Sequence, residues 1–194
     1  MTSQDEAGFS GSSRVAAALS SVARGAEPQK VVRNLSWREM EEFVSAACGM
    51  AGFQCVRDLR LKFGQKRIQV DVVAATPSLC LVIDCKRWKR RLSGQALHQA
   101  VLRCVERTKT VAEYVAGNYP GENLVFFMPL MLSLYEADRR VLHGVFVLSV
   151  DALTSVVRSP EQLLAGSTVG VKLSPSWLDF LESYNLNQSR LKKV

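Results

Sequence analysis

Apolar positions recur along the chain with two different periods, and the switches between them mark out its elements. Ser36-Trp37-Arg38-Glu39 matches a helix capping box, and an apolar run at helical spacing follows it. On that helix Trp37, Met40, Val44, Ala47, Cys48 and Ala51 share one face, Glu41 lies at its edge, and Glu42 points roughly opposite into solvent. Gly52 ends the helix. Three strands are predicted next: CVRDLRL, then RIQVDVVA after a turn at Phe63-Gly64-Gln65, then LCLVIDCK after the connection ATPS. The third is apolar on both faces until Asp84, which suits the interior of a sheet.

From Ser93 to Gly117 a long helix is predicted, with Leu97, Val101, Cys104, Val105, Val111 and Val115 at helical spacing. LVFFMPLML and VLHGVFVLSV read as two further strands, with Pro129 expected at an end or bulge of the first because it has no N–H to donate. DALTSVVRS and SWLDFLESY read as helices capped by Asp151 and Ser176. The order α-β-β-β-α-β-β predicts an α/β fold, a mixed sheet flanked by helices. Residues 1–30 are rich in Ser, Gly and Ala and read as a flexible tail, although RVAAALSSVARG within them can form a short helix with Val15, Leu19 and Val22 on one side. Residues 31–194 read as one domain with a C-terminal helical extension.

Composition narrows the class. A 194-residue chain that is 47% hydrophobic and 22% charged is globular rather than disordered. No apolar stretch approaches the roughly 20 residues that span a bilayer. The first residues carry Asp5 and Glu6 and no apolar block, so a cytoplasmic location is expected. The five cysteines are odd in number and form no C-x-x-C pair, which predicts buried free thiols. A net charge of +7 calls for an acidic partner, nucleic acid or an anionic membrane surface. A basic membrane-surface protein would need an amphipathic helix with a Trp or Phe face, which the sequence lacks. No phosphate-binding glycine loop is present, so no nucleotide cofactor is expected. His98, on a helix, and His143, at the start of an apolar strand, are read as structural, and two histidines are too few for nucleases built on paired histidines.

The carboxylates remain. If Ala75 to Ser78 form the connection, Ala74 faces Leu79 and Asp71 faces Val82, so that Asp71, Val82, Asp84 and Lys86 project to one side of the sheet. Asp71 and Asp84 are then diagonal neighbours, their Cβ atoms under roughly 7 to 8 Å apart, within reach of one cation. A loop one residue longer or shorter would separate them onto opposite faces. Glu41 is the helix acid nearest the sheet. Such a set suits a phosphodiesterase: Mg²⁺ takes one or two carboxylates together with water and substrate phosphate, and Lys86 would position or activate the attacking water. The alternative is a surface contact between Asp84 and Lys86, with Asp71 solvated at a strand end.

RIQVDVVA followed by LVIDCKRWKR resembles the PD-(D/E)XK nuclease signature, most closely the branch of Mrr-type restriction endonucleases and archaeal Holliday-junction resolvases. WREMEEFVSAACGMAGFQCV has the helix, Gly-aromatic pair and strand that precede the signature there, with Glu41 eleven residues before Gly52. The resemblance covers about residues 35–90. It implies a restriction-endonuclease-like fold and a Mg²⁺- or Mn²⁺-dependent endodeoxyribonuclease. It makes Asp71 and Asp84 metal ligands, Cys85 a further ligand through its carbonyl, Lys86 the catalytic lysine and Glu41 an additional acid. Val70 stands in place of the proline that names the motif, and Asp84 in place of the commoner Glu. Arg87, Lys89, Arg90 and Arg91, beside that lysine, are expected to hold backbone phosphates of DNA, and Trp88 to pack under the sheet. The runner-up is a nucleic-acid-binding module that keeps the fold without turnover; a homodimer is left open.

Overall fold

The computed structural model describes residues 13–87, 93–137, 140–160, 166 and 168–191. Helix α3 (Trp37–Met50) begins at the expected capping box, with the Glu39 amide donating to Ser36 Oγ and the Ser36 amide to Glu39 Oε2. β1 (Gln54–Phe63), β2 (Lys66–Ala75) and β3 (Leu79–Lys86) follow as an antiparallel meander. Helix α4 (Gly94–Asn118) then crosses over, so that β4 (Pro120–Ser133) returns parallel to β3. A parallel pairing needs such a crossover, and α4 supplies it. β5 (Val141–Leu142) and β6 (Val145–Ser149) form a hairpin whose second strand lies parallel to β4. After α5 (Leu153–Arg158), β7 (Val169–Leu173) pairs antiparallel with β4, and α6 (Asp179–Leu191) closes the described chain.

The sheet order is β1-β2-β3-β4-β6-β5, with β7 on β4. This is a mixed seven-stranded sheet flanked by helices, compatible with the expected nuclease-like α/β architecture. One face packs Val72, Ala74, Leu81, Ile83, Leu130 and Leu132 against α3 and α5. The other packs Val73, Ala75, Val82 and Phe127 against α4 and α6. The strand interior is apolar on both faces because both faces are covered.

Several expectations are corrected. The described part of the supposed tail is built into the domain: α1 (Ser13–Ala23) buries Val15 and Ala18 in the α3-side core, and α2 (Pro28–Val32) buries Val32. Asp151 does not cap its own helix. Its Oδ1 accepts the Gln29 amide at 2.8 Å and so caps α2 from 122 residues away. The last helix is preceded by a tight turn at Pro175–Leu178, for which Ser174, not Ser176, is the N-cap residue. Pro129 is neither at an end nor at a bulge: it pairs with Val82 in mid-strand. On its other edge β7 pairing stops at Phe127 and β6 pairing starts at Leu130, so no ladder there needs its missing N–H. VLHGVFVLSV is a hairpin rather than one strand, because His143 and Gly144 both adopt positive φ and turn the chain.

A tail would tolerate a charge at position 15, whereas the buried site would not. Val15→Asp is expected to lower unfolding stability in urea by about 3 kcal/mol or more, since it buries an unpaired carboxylate. An unchanged urea midpoint would return α1 to the status of a tail.

Candidate active site

The β2–β3 connection fixes which acids meet. Thr76 and Leu79 exchange both backbone hydrogen bonds, leaving a two-residue turn, Pro77-Ser78, instead of the expected four. Ala75 then pairs with Cys80 and Val72 with Ile83, and the next pair in that register is Asp71 with Asp84. The slip is by two residues, so the faces are preserved while the acids move from diagonal to directly opposed. The backbone ladder itself stops at Val72 and Ile83. Beyond it the Cys85 amide donates to Asp71 Oδ2 at 2.8 Å, a side chain standing in for a strand carbonyl.

β1 and β2 also change phase at this level. Val56 and Leu59 are three apart, as are Val70 and Val73, yet all four lie in the α4-side core. Alternation would put residues three apart on opposite faces, so each strand takes an extra step between them. Asp58, at φ 52°, lies on the β1 step, and Asp71 lies on the β2 step opposite.

Both acids are buried, Asp71 at 9% exposure and Asp84 at 3%. Asp84 Oδ1 accepts from Lys86 Nζ and from Arg107 Nη1, each at 2.8 Å. Its Oδ2 is buried with no hydrogen-bond partner. Burial first, and the neighbouring Asp84 second, push the Asp71 carboxyl up to about 7; the Cys85 amide and Lys86 oppose that rise, and Glu41 adds to it. Glu41 is half-buried on α3 and accepts from the Trp37 indole N–H, and burial raises its carboxyl as well. Lys86 Nζ lies 6.0 Å from the centre of the Trp37 ring. Glu41, Asp71, Asp84 and Lys86 are thus gathered at one end of the sheet, and the half-exposed Trp37 joins them from α3.

The remaining candidates differ. The Cys85 thiol is buried in the α3-side core and shifted far upward by burial, so only its backbone faces the acids. Arg87 is exposed, but one of its nitrogens donates to the Arg33 carbonyl at 2.8 Å. Lys89, Arg90, Arg91 and Trp88 lie outside the described residues. Glu42 is not solvated; it pairs with Arg57 at 3.2 Å and ties α3 to β1. All five cysteines are free, as expected.

Two residues at the site had not been singled out. Arg107 is three residues after Cys104 and four before Val111, at the border of α4's buried face, and that spacing was the available signal. Ser133 pairs with Lys86 across β3 and β4, so it shares that residue's face, and its Oγ is buried without a partner. Two orphaned polar atoms beside a crowded acid pair fit an oxygen-liganded cation. Among the described residues no three His, Cys, Asp or Glu side chains converge as a metal cage. The site offers two carboxylates, within the number Mg²⁺ takes from protein.

A scan against protein-family models and a search of curated proteins each return no match. Among solved structures, a protein of unknown function, AF1548, is similar at a TM-score of 0.46 and 13% identity, over 59% of this chain and 58% of that one. Protein VC1899 from Vibrio cholerae is similar at a TM-score of 0.38 and 13% identity, over 70% of this chain and 36% of that one. The chain thus spans less than two thirds of the length of either. No helix among the described residues is long and apolar enough to cross a membrane.

A carboxyl whose native pKa is raised stabilises the fold at low pH and loses that contribution as pH climbs from its ordinary 3.8 toward about 7. With divalent ions chelated, the wild type is expected to lose urea stability between pH 4 and 7 relative to Asp71→Asn, which carries no such group. Parallel stability curves for the two proteins would show that the acids do not strain one another.

Proposed function

We propose that this chain is a metal-dependent deoxyribonuclease that hydrolyses phosphodiester bonds in duplex or branched DNA. The observation that carries the proposal is the pair Asp71 and Asp84, where burial first and the neighbouring acid second raise Asp71 to about 7, with Asp84 Oδ2 unpartnered and Lys86 at 2.8 Å. The resemblance of RIQVDVVA and LVIDCKRWKR to the PD-(D/E)XK signature supports the same residues. Asp71 and Asp84, with the Cys85 carbonyl, would hold Mg²⁺ or Mn²⁺. When bound, the ion supplies positive charge to the phosphoryl and leaving oxygens.

The chain's own groups do the rest. Lys86 holds the attacking water and stabilises charge on the phosphate, and Arg107 orients Asp84 by binding the same carboxylate oxygen, Oδ1, that Lys86 binds. Glu41 orients solvent on the α3 side. Arg87, Lys89, Arg90 and Arg91, together with the net charge of +7, supply the phosphate-binding electrostatics. A second reading, a DNA-binding module without turnover, is favoured by one observation: Lys86 and Arg107 already neutralise Asp84 from within the protein.

Incubation with linear, supercoiled and four-way-junction DNA in Mg²⁺ or Mn²⁺ decides between them. Cleavage is expected for the wild type and none for Asp84→Ala. Lys86→Ala is expected to lower turnover by roughly 100-fold or more, with DNA affinity weakened by no more than one phosphate contact. DNA binding without cleavage by the wild type on every substrate would establish the second reading, and normal cleavage by Lys86→Ala would remove the lysine from the chemistry.

A further inference from the structure

His98 and His143 are the chain's two histidines, 45 residues apart in sequence, and the fold brings them together. His98 lies near the N-terminal end of α4, and His143 opens the two-residue turn between β5 and β6. Nε2 of His143 stands 2.9 Å from Nδ1 of His98, with the rings edge to face and their centroids 4.5 Å apart. Below them Leu97, Val101 and Val145 are buried and Leu142 packs on them, so apolar contact holds the hairpin to the helix. His143 is exposed and His98 partly so, which puts the pair at the protein surface.

The turn accounts for only part of this. Both central residues have positive φ, 50° at His143 and 74° at Gly144, as a type I′ hairpin requires. Asn would satisfy the first position equally well. Nothing in the turn asks for an imidazole aimed at a second imidazole.

We propose that His98 and His143 form a two-imidazole binding site for a divalent transition-metal ion of tetragonal preference, Ni²⁺ or Cu²⁺. Two nitrogens each roughly 2.0 to 2.1 Å from one ion stand about 2.9 Å apart at a right angle and about 3.3 Å apart at a tetrahedral one. The 2.9 Å between them is the hydrogen-bonded spacing of the metal-free pair, and it equals the right-angled value, so an ion would be met by turning the rings toward it without moving the two nitrogens apart. Imidazole nitrogens suit these ions, whereas the oxygens of Asp71 and Asp84 suit Mg²⁺ or Mn²⁺, so the two places sort ions by ligand chemistry.

In the metal-free chain one facing nitrogen donates its hydrogen to the other. On binding, that imidazole carries its hydrogen on its second ring nitrogen, both facing nitrogens present lone pairs, and the neutral pair releases no proton. Among the described residues no third His, Cys, Asp or Glu completes the set, so water fills the other positions. The ion then clamps the β5–β6 hairpin to α4, the helix that carries Arg107 to Asp84.

Titration of the untagged chain with NiCl₂, followed by calorimetry and by thermal unfolding, tests the site without reference to DNA cleavage. One Ni²⁺ per chain is expected to depend on both histidines, and Ni²⁺ is expected to raise the wild-type Tm. His143→Asn keeps a residue that tolerates the left-handed turn, and its metal-free Tm reports that the hairpin is intact. In it and in His98→Ala, Ni²⁺ affinity is expected to fall at least tenfold and the Tm response to vanish, while Asp71→Asn keeps both. No Ni²⁺ binding by the wild type, or undiminished binding in both histidine variants, would overturn the proposal. Ni²⁺ binding lost only in Asp71→Asn would assign it to the acid pair and overturn it equally.

Discussion

Two carboxyl groups deprived of water, side by side, are the constraint around which this end of the molecule is arranged. Desolvation and mutual repulsion both disfavour charge on Asp71; Glu41 adds to the repulsion, while the Cys85 amide and Lys86 oppose it. The Cys85 amide leaves its strand ladder to bind one oxygen of Asp71. Lys86 and Arg107 both bind Oδ1 of Asp84 and leave Oδ2 bare. The sheet supplies the burial, since a strand covered on both faces cannot present its end residues to water. A cation between the acids would relieve what the protein's own donors leave unanswered.

This arrangement was partly legible in the sequence, because a strand has a period of two. The hairpin loop is two residues shorter than expected, and an even slip leaves every side chain on its face. Asp84 and Lys86 therefore share a side for the reason given from the sequence, even though the partner of Asp71 differs. Glu41 was found by the same kind of argument on α3, from its position at the edge of the apolar face.

What was not legible depended on backbone exceptions or on contacts between distant segments. No residue type announces that Asp58 takes a positive φ, and the phase change in β1 and β2 follows from that step. The His-Gly turn is a weak signal beside the apolar run around it, so the hairpin read as one strand and the meeting of His98 with His143 was hidden. Arg107 carries no signal in the sequence beyond its place at the border of α4's buried face, because its partner Asp84 is brought to it by the sheet. The N-terminal segment read as a tail because its small residues carry little hydrophobic signal, although a helix with one small apolar face can fit where a larger one would not.

That segment ties an early stretch of the chain to a much later one. The N-terminus of α2 is completed by Asp151, a residue that leaves the ribosome 122 positions after Gln29. α1 and α2 also share their core with α5, which emerges later still. Closing so wide a loop is a late and slow event, because its entropy must be lost before the contact is gained. α1 has its partner in α3 soon after it is made, whereas α2 lacks its cap, and the α3-side core its last wall, until Asp151 and α5 have emerged.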